Sequence, residues 1–151
     1  MKAKIQNAEL LINAFGQFPT FHDAEVVQIL LKRKNNREYC PTLEALIRIS
    51  NYKTGNKFLV NLLFKYIFGL KLENFNHQNV LGDLYITEFS EEFFEKSKHD
   101  KRLLGVVSKA EIERLNYYVK FEYCFGIEAE FLCSEIIIDS VKSLENDKFQ
   151  Y

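Results

Sequence analysis

The chain has 151 residues, of which 47% are hydrophobic and 27% charged, with a formal net charge of −1. That length suits one domain able to bury about 70% of its unfolded surface, and the composition excludes a disordered, collagen-like or low-complexity chain. Near-neutral charge argues against a general nucleic-acid binder, and no apolar run reaches the ~18 residues of a membrane helix.

The charge is unevenly spread. Residues 1–70 hold ten Lys/Arg against five Asp/Glu, whereas residues 111–151 hold four against nine. Such a division gives either complementary solvated faces or an acidic patch aimed at a basic partner. Asn7, Glu9 and Asn13 interrupt any signal-peptide core in MKAKIQNAELLINAF, so a cytoplasmic protein is expected. Cys40, Cys124 and Cys133 are odd in number and form no C-x-x-C pair; buried free thiols are expected rather than a disulfide or zinc site.

In chain order, Ile5, Ala8, Ile12 and Phe15 make the stripe of an amphipathic helix, with Gly16 at its C-cap and Pro19 barring its resumption. Ala24 to Lys34 is rich in Val, Ile and Leu and reads as a strand. Asn35 to Pro41 reads as a turn. Thr42 to Ser50 alternates cleanly, with Leu43, Ala45, Ile47 and Ile49 on one face. Thr54-Gly55-Asn56 marks a turn, and Phe58 to Leu72 reads as strand on its aromatic and β-branched content, although Lys57, Asn61, Lys65 and Gly69 imitate a helical edge.

Gly82 to Phe89 is a further strand, and Ser90 to Arg102 a loop or short helix; Ser108-x-x-Glu111 has the form of a capping box. Tyr117 to Cys124 alternates, Gly126 breaks it, and Glu130 to Val141 resumes, as in a β-hairpin. Strand after strand without regular helices implies an α+β fold: a mostly antiparallel sheet with the amino-terminal helix packed on it, in one domain spanning 1–151.

Two polar segments stand out. His22, Asp23 and Glu25 precede an apolar strand. If that stretch is already extended, Asp23 and Glu25 share one face and His22 takes the other, which suits a carboxylate pair better than a three-ligand metal site. The second segment, Asn74 to Val80, contains Asn76, His77, Gln78 and Asn79, and amides suit the tying of irregular backbone. His22 and His77 with a carboxylate would make a metal pair, yet neither H-x-H nor H-x-x-x-H spacing occurs. His99, in EKSKHDKR, reads as solvated. Phosphate-cradle and nucleophile-elbow motifs are absent. The aromatics alternating with Lys120 weakly imitate a base-stacking sheet, but Glu122, Glu128 and Glu130 would repel phosphate.

The segments FGQFPTFHDAEV (Phe15 to Val26) and FNHQNVLGDL (Phe75 to Leu84) resemble the signature segments of the bacterial immunity-protein family numbered 50, encoded beside polymorphic or contact-dependent toxins. Phe18 stands where the family pattern has Trp. The resemblance implies a cytoplasmic antitoxin that binds and blocks one cognate toxin domain, with no enzyme activity, no cofactor, no metal, and neither nucleic acid nor membrane as partner. It carries over His22, Asp23, Glu25, Asn76, His77, Gln78 and Asn79 as motif positions only. On this reading the two segments meet and brace the mouth of the sheet, a histidine bonding a carboxylate, while Glu122, Glu128 and Glu130 would steer a basic toxin. The alternatives are a small metal- or carboxylate-dependent enzyme using His22, Asp23, Glu25 and His77, and a structural or accessory binding domain.

Overall fold

The computed structural model describes residues 4–33, 41–90 and 113–144. The expectations for Asn35 to Cys40, for the charged stretch beyond Ser90, for His99 and for the Ser108 capping box lie outside those residues. Among the described residues the protein is predominantly antiparallel sheet with one short helix, α1 (Glu9–Phe15).

The eight strands are β1 (Glu25–Lys32), β2 (Thr42–Ser50), β3 (Lys57–Lys65), β4 (Phe68–Glu73), β5 (Val80–Glu88), β6 (Tyr117–Phe125), β7 (Glu128–Cys133) and β8 (Glu135–Leu144). Their order is β4-β7-β6-β5-β1-β2-β3-β8. The two ends of that order are covalently tied. β3 continues into β4 through Tyr66 and Ile67, and β7 into β8 through Ser134. The β3–β8 pairing runs from Lys57↔Leu144 to Lys65↔Glu135, and β4–β7 takes over at Phe68↔Leu132. Ser134 N–H donates to the Lys65 carbonyl at the corner. The sheet thus curls on itself around one interior, where Phe64 meets Phe131 at 5.1 Å and Phe121 at 6.1 Å between ring centroids.

Alternation on β2 holds as read from the sequence: Leu43, Ala45, Ile47 and Ile49 are all buried. Phe58 to Leu72 is extended but not one strand. Tyr66 takes φ of 60° and turns the chain, so that β3 pairs with β2 and β8 while β4 pairs with β7. The hairpin after Gly126 is likewise divided, at Ser134. Across Ser134 the inward residues change parity, from Ala129, Phe131 and Cys133 to Ile136 and Ile138, and the apolar Leu132 and Ile137 on the other face mask that shift in the single-strand periodicity.

The helix is shorter than its sequence stripe. Ile5 precedes it, next to the Gln6↔Ile137 bridge, and the face turned inward is centred on Leu11, which is fully buried, leaving Ile12 42% exposed. The stripe through Ile5 and Ile12 assumed a helix that had already begun at residue 5. Gly16 does close it, at φ 82°, its N–H donating to the Ile12 carbonyl at 2.7 Å. Phe15 stacks against Phe58 of β3 at 4.8 Å, and Gln6 bonds both sides of Ile137 through the Ile136 carbonyl and the Ile138 N–H. Both contacts pin the helix to the β3–β8 pair.

Of the cysteines, Cys133 is buried and Cys124 exposed; both are free thiols. The expectation of burial therefore fails for Cys124, which lies where β6 runs past its pairing with β7. Burial pushes the Cys133 thiol far above its ordinary range, which keeps it protonated and inert. Among the described residues no helix is long and apolar enough to cross a membrane.

Candidate functional site

The two polar segments meet, and backbone joins them. Asp23 N–H donates to the Leu81 carbonyl at 3.0 Å, Leu81 N–H to Ala24 at 2.8 Å, and Val26 N–H to Asn79 at 2.8 Å. These bonds, with the single Cα pairing Glu25↔Val80, are the seam between β1 and β5. One motif therefore closes the sheet against the other.

The side chains divide differently from the extended reading. Asp23 sits at φ 62°, in the left-handed region, so residues 22 and 23 form a turn and the strand begins at Glu25. Alternation between faces cannot be counted back through such a residue. Asp23 and Glu25 consequently form no carboxylate pair. The Asp23 carboxylate lies 3.1 Å from His22 Nδ1, both side chains more than half exposed. Glu25 instead pairs with Arg48, its direct cross-strand neighbour on β2. His77 is exposed and makes no hydrogen bond or ion pair among the described residues. No group of three His, Cys, Asp or Glu side chains there is placed to hold a metal ion. His22, Asp23, Glu25 and His77 do not converge.

Asn79 is the residue that ties the second segment. It is the buried polar side chain among the described residues, 3% exposed. Its Oδ1 accepts from Asn76 N–H at 2.9 Å and its Nδ2 donates to the Asn76 carbonyl at 2.7 Å, while Asn76 Oδ1 accepts from Gln78 N–H at 3.0 Å. Both polar atoms of the Asn79 amide hold a tight loop, so neither is left without a partner in its buried site. Sequence reasoning missed Asp83. Its Oδ1 accepts from Phe21 N–H at 3.2 Å and from its neighbour Leu84 N–H at 2.8 Å, and Thr20 Oγ1 reaches Oδ2 at 3.5 Å. An Asp beside a Gly in a strand is depleted by propensity, and that was the available signal.

Glu122, Glu128 and Glu130 stand on the outer face of β6 and β7, beside Asp83 of β5 and Glu73 of β4. The register places Asp83 opposite Glu122 and Glu73 opposite Glu128. Phe121↔Ala129 makes Glu122 and Glu128 neighbours one residue further along. A row of carboxylates therefore crosses four strands. One step inward, Tyr85 faces Lys120, and Glu130 faces both Lys120 and Lys71. Glu122 accepts from the Tyr85 hydroxyl and so raises that phenol's pKa. Glu130 is engaged by Tyr118, whose hydroxyl donates to it at 2.5 Å. Glu128 is exposed and has no partner among the described residues.

No family model matches the chain, nor does any curated protein or solved structure.

Proposed function

We propose that the protein is a cytoplasmic immunity protein, an α+β antitoxin whose small helix braces the sheet and which neutralises one cognate toxin domain by binding it. The reading starts from the two signature-like segments, and the observation that carries it is where they lie. The Asn76–Asn79 loop packs directly on the end of the β6–β7 hairpin, with Gly126 against Gln78 and Asn79. That end exposes large aromatics, Tyr123 at 56% and Phe125 at 48%. Exposed aromatics within a polar rim are the usual anchors of tight protein partners. Signature residues that fix backbone next to such anchors suit a binding scaffold.

The test is co-expression with the toxin domain encoded beside the gene, followed by calorimetry of the purified pair. Growth rescue with a stoichiometric complex is the expected result. A toxin domain that kills regardless and does not bind would overturn the reading.

A further inference from the structure

The described residues form, beyond the core, a cleft between the chain after α1 and the β2–β3 turn, a polar hollow over the outer face of β1–β3, and a recess at the β6–β7 end. The cleft is lined by Phe15, Pro19, Tyr52 and Lys53 among others, and holds about 190 Å³. Its charge is single and solvated, and nothing nearby selects an occupant. The hollow is about 130 Å³; of its polar lining, Gln28, Glu44 and Asn61, the last two are bonded to each other and to Lys32 and Asp139, and its one charge, Glu44, is neutralised by Lys32. The third is larger and chemically asymmetric.

That recess, about 410 Å³, is lined by Asn74, Asn76, Tyr123, Phe125, Gly126 and Glu128. Its floor is rigid for three reasons. Asn74 holds a left-handed φ of 59°, Asn76 is locked by the Asn79 amide, and Gly126 is pressed onto Gln78. Phe75, in the same loop, is 44% exposed. The aromatic surface is thus presented on backbone that does not need to order on binding, which lowers the entropic cost of association.

The rim decides the occupant. Like charges directly opposite one another destabilise a sheet, yet Glu73 faces Glu128 and Asp83 faces Glu122 on the strands that bound the recess. Lys71 approaches Glu73 only to 3.8 Å, and no described cation reaches Glu128. Phosphate-bearing partners are repelled by such a row, whereas Lys and Arg stems pack on aromatic faces while their cationic ends meet carboxylates.

We propose that this recess is the docking site for a Lys/Arg-bearing surface segment of a protein partner, with Tyr123 and Phe125 receiving the stems and Glu73, Glu122 and Glu128 the charges. The proposal rests on the immunity reading for the partner's identity, which is the toxin domain, but not for its chemistry. The segment is recognised by aromatic stacking and charge together, so its binding weakens with salt and with loss of either component.

Two experiments on the full chain separate the claims. The first titrates an oligo-arginine peptide, with oligo-glutamate as control, and follows backbone amide resonances. Shifts confined to Asn74–Gln78 and Tyr123–Glu128, absent with oligo-glutamate and abolished in Glu73→Gln/Glu122→Gln/Glu128→Gln, are the expected result. Shifts elsewhere, or none, overturn the docking site. The second measures toxin-domain binding by Tyr123→Ala/Phe125→Ala, with Leu31→Ala as a remote control. Affinity should fall about tenfold or more in the pair and hold in the control, with unfolding midpoints checking that each variant is folded. Unchanged affinity in the folded pair overturns the docking site and leaves the immunity reading standing. Peptide shifts at the recess with no toxin binding by the native chain do the reverse. A dimer in sedimentation that the pair variant dissociates would assign the recess to a second copy and overturn the proposed partner.

Discussion

Gly126 and Asn79 are in contact so close that a Cβ on the glycine would lie 2.8 Å from the Asn79 Oδ1 and 2.2 Å from the Gln78 carbonyl oxygen. Gly126 also takes φ of 82°. Two costs therefore fall on any substitution: the left-handed backbone and a clash with main chain that cannot swing away. Gly126→Ala is expected to destabilise by at least about 2 kcal/mol. Gly55 is the control, since its φ is 74° but nothing lies within 4 Å of its would-be Cβ. Gly55→Ala should cost only the conformational part, about 1–2 kcal/mol. Urea unfolding of both variants checks this; equal losses would mean that the Gly126 contact contributes nothing.

Removing the Asn79 amide should cost as much as removing a core side chain. Asn79→Ala strands the Asn76 N–H and carbonyl, each bonded to it within 3 Å, at about 1–3 kcal/mol for the unpaired groups. Asn79→Asp keeps the acceptor but sets a carboxylate against the Asn76 carbonyl. Its stability should therefore improve as pH falls through the carboxylate range, opposite to the usual acid limb. Chemical unfolding of Asn79→Asp at several pH values reads this directly, and a flat profile would refute the bonding assigned to Nδ2.

The charged members of the same motifs should matter far less to folding. Glu25 and Arg48 are paired across strands but partly exposed, 27% and 37% at the side chains, and a double-mutant cycle should return a coupling of about 0.2–1 kcal/mol. His22→Ala, on a side chain 63% exposed, should move stability by no more than about 0.5 kcal/mol. A coupling above about 2 kcal/mol would show that the seam is held by charge rather than by backbone.

That contrast explains what could be read in advance. The β2 alternation and the Gly16 cap are local, and they stood in the sequence. The meeting of the two polar segments was legible only as a resemblance, since no spacing rule links residue 23 to residue 81. The roles inside them were not legible. Histidines and carboxylates drew notice because they titrate, while the work fell to an amide, Asn79, and to the unremarked Asp83. The corners at Tyr66 and Ser134 change the inward parity, from Phe64 to Ile67 and from Cys133 to Ile136, but apolar residues on both faces, such as Leu132 and Ile137, hid that change in the sequence. The row of carboxylates depends wholly on register across four strands, which a single sequence does not contain.

On β2, Glu44 takes the ammonium of Lys32 at 2.8 Å and the Asn61 amide at 3.4 Å, and these donors, Lys32 first, hold its pKa below the ordinary 4.5 against the opposing effect of burial. A folded pKa below the unfolded one means that the contribution is complete above the unfolded value and is lost as pH falls through the folded one. Glu44→Gln should therefore lower stability at neutral pH and match the native chain at the acid end. Exposure of Lys32 limits the gap to about 1 kcal/mol or less and makes it shrink in salt. Unfolding midpoints at low and high ionic strength across pH 2–7 test it; a gap that persists at the acid end would assign the loss to packing instead.

At the alkaline end the controlling group is Tyr118. It packs with Leu115 and Leu132 on the outer face and donates its hydroxyl to Glu130. Burial first, then that carboxylate, pushes its phenol far above the ordinary 10.0. The stability this gives is complete below the unfolded tyrosine pKa and disappears as pH rises toward the folded one, because the unfolded chain ionises first. Tyr117 is raised in the same direction, chiefly by burial, so the native protein should withhold both phenols from titration until it unfolds. Tyrosinate absorbance should show a cooperative step coincident with loss of sheet signal. In Tyr118→Phe the step should be smaller and stability less dependent on pH above about 10, at the cost of a weaker protein at neutral pH, where Glu130 loses its donor. A smooth titration with no step would place the Tyr118 hydroxyl in solvent and remove the bond to Glu130.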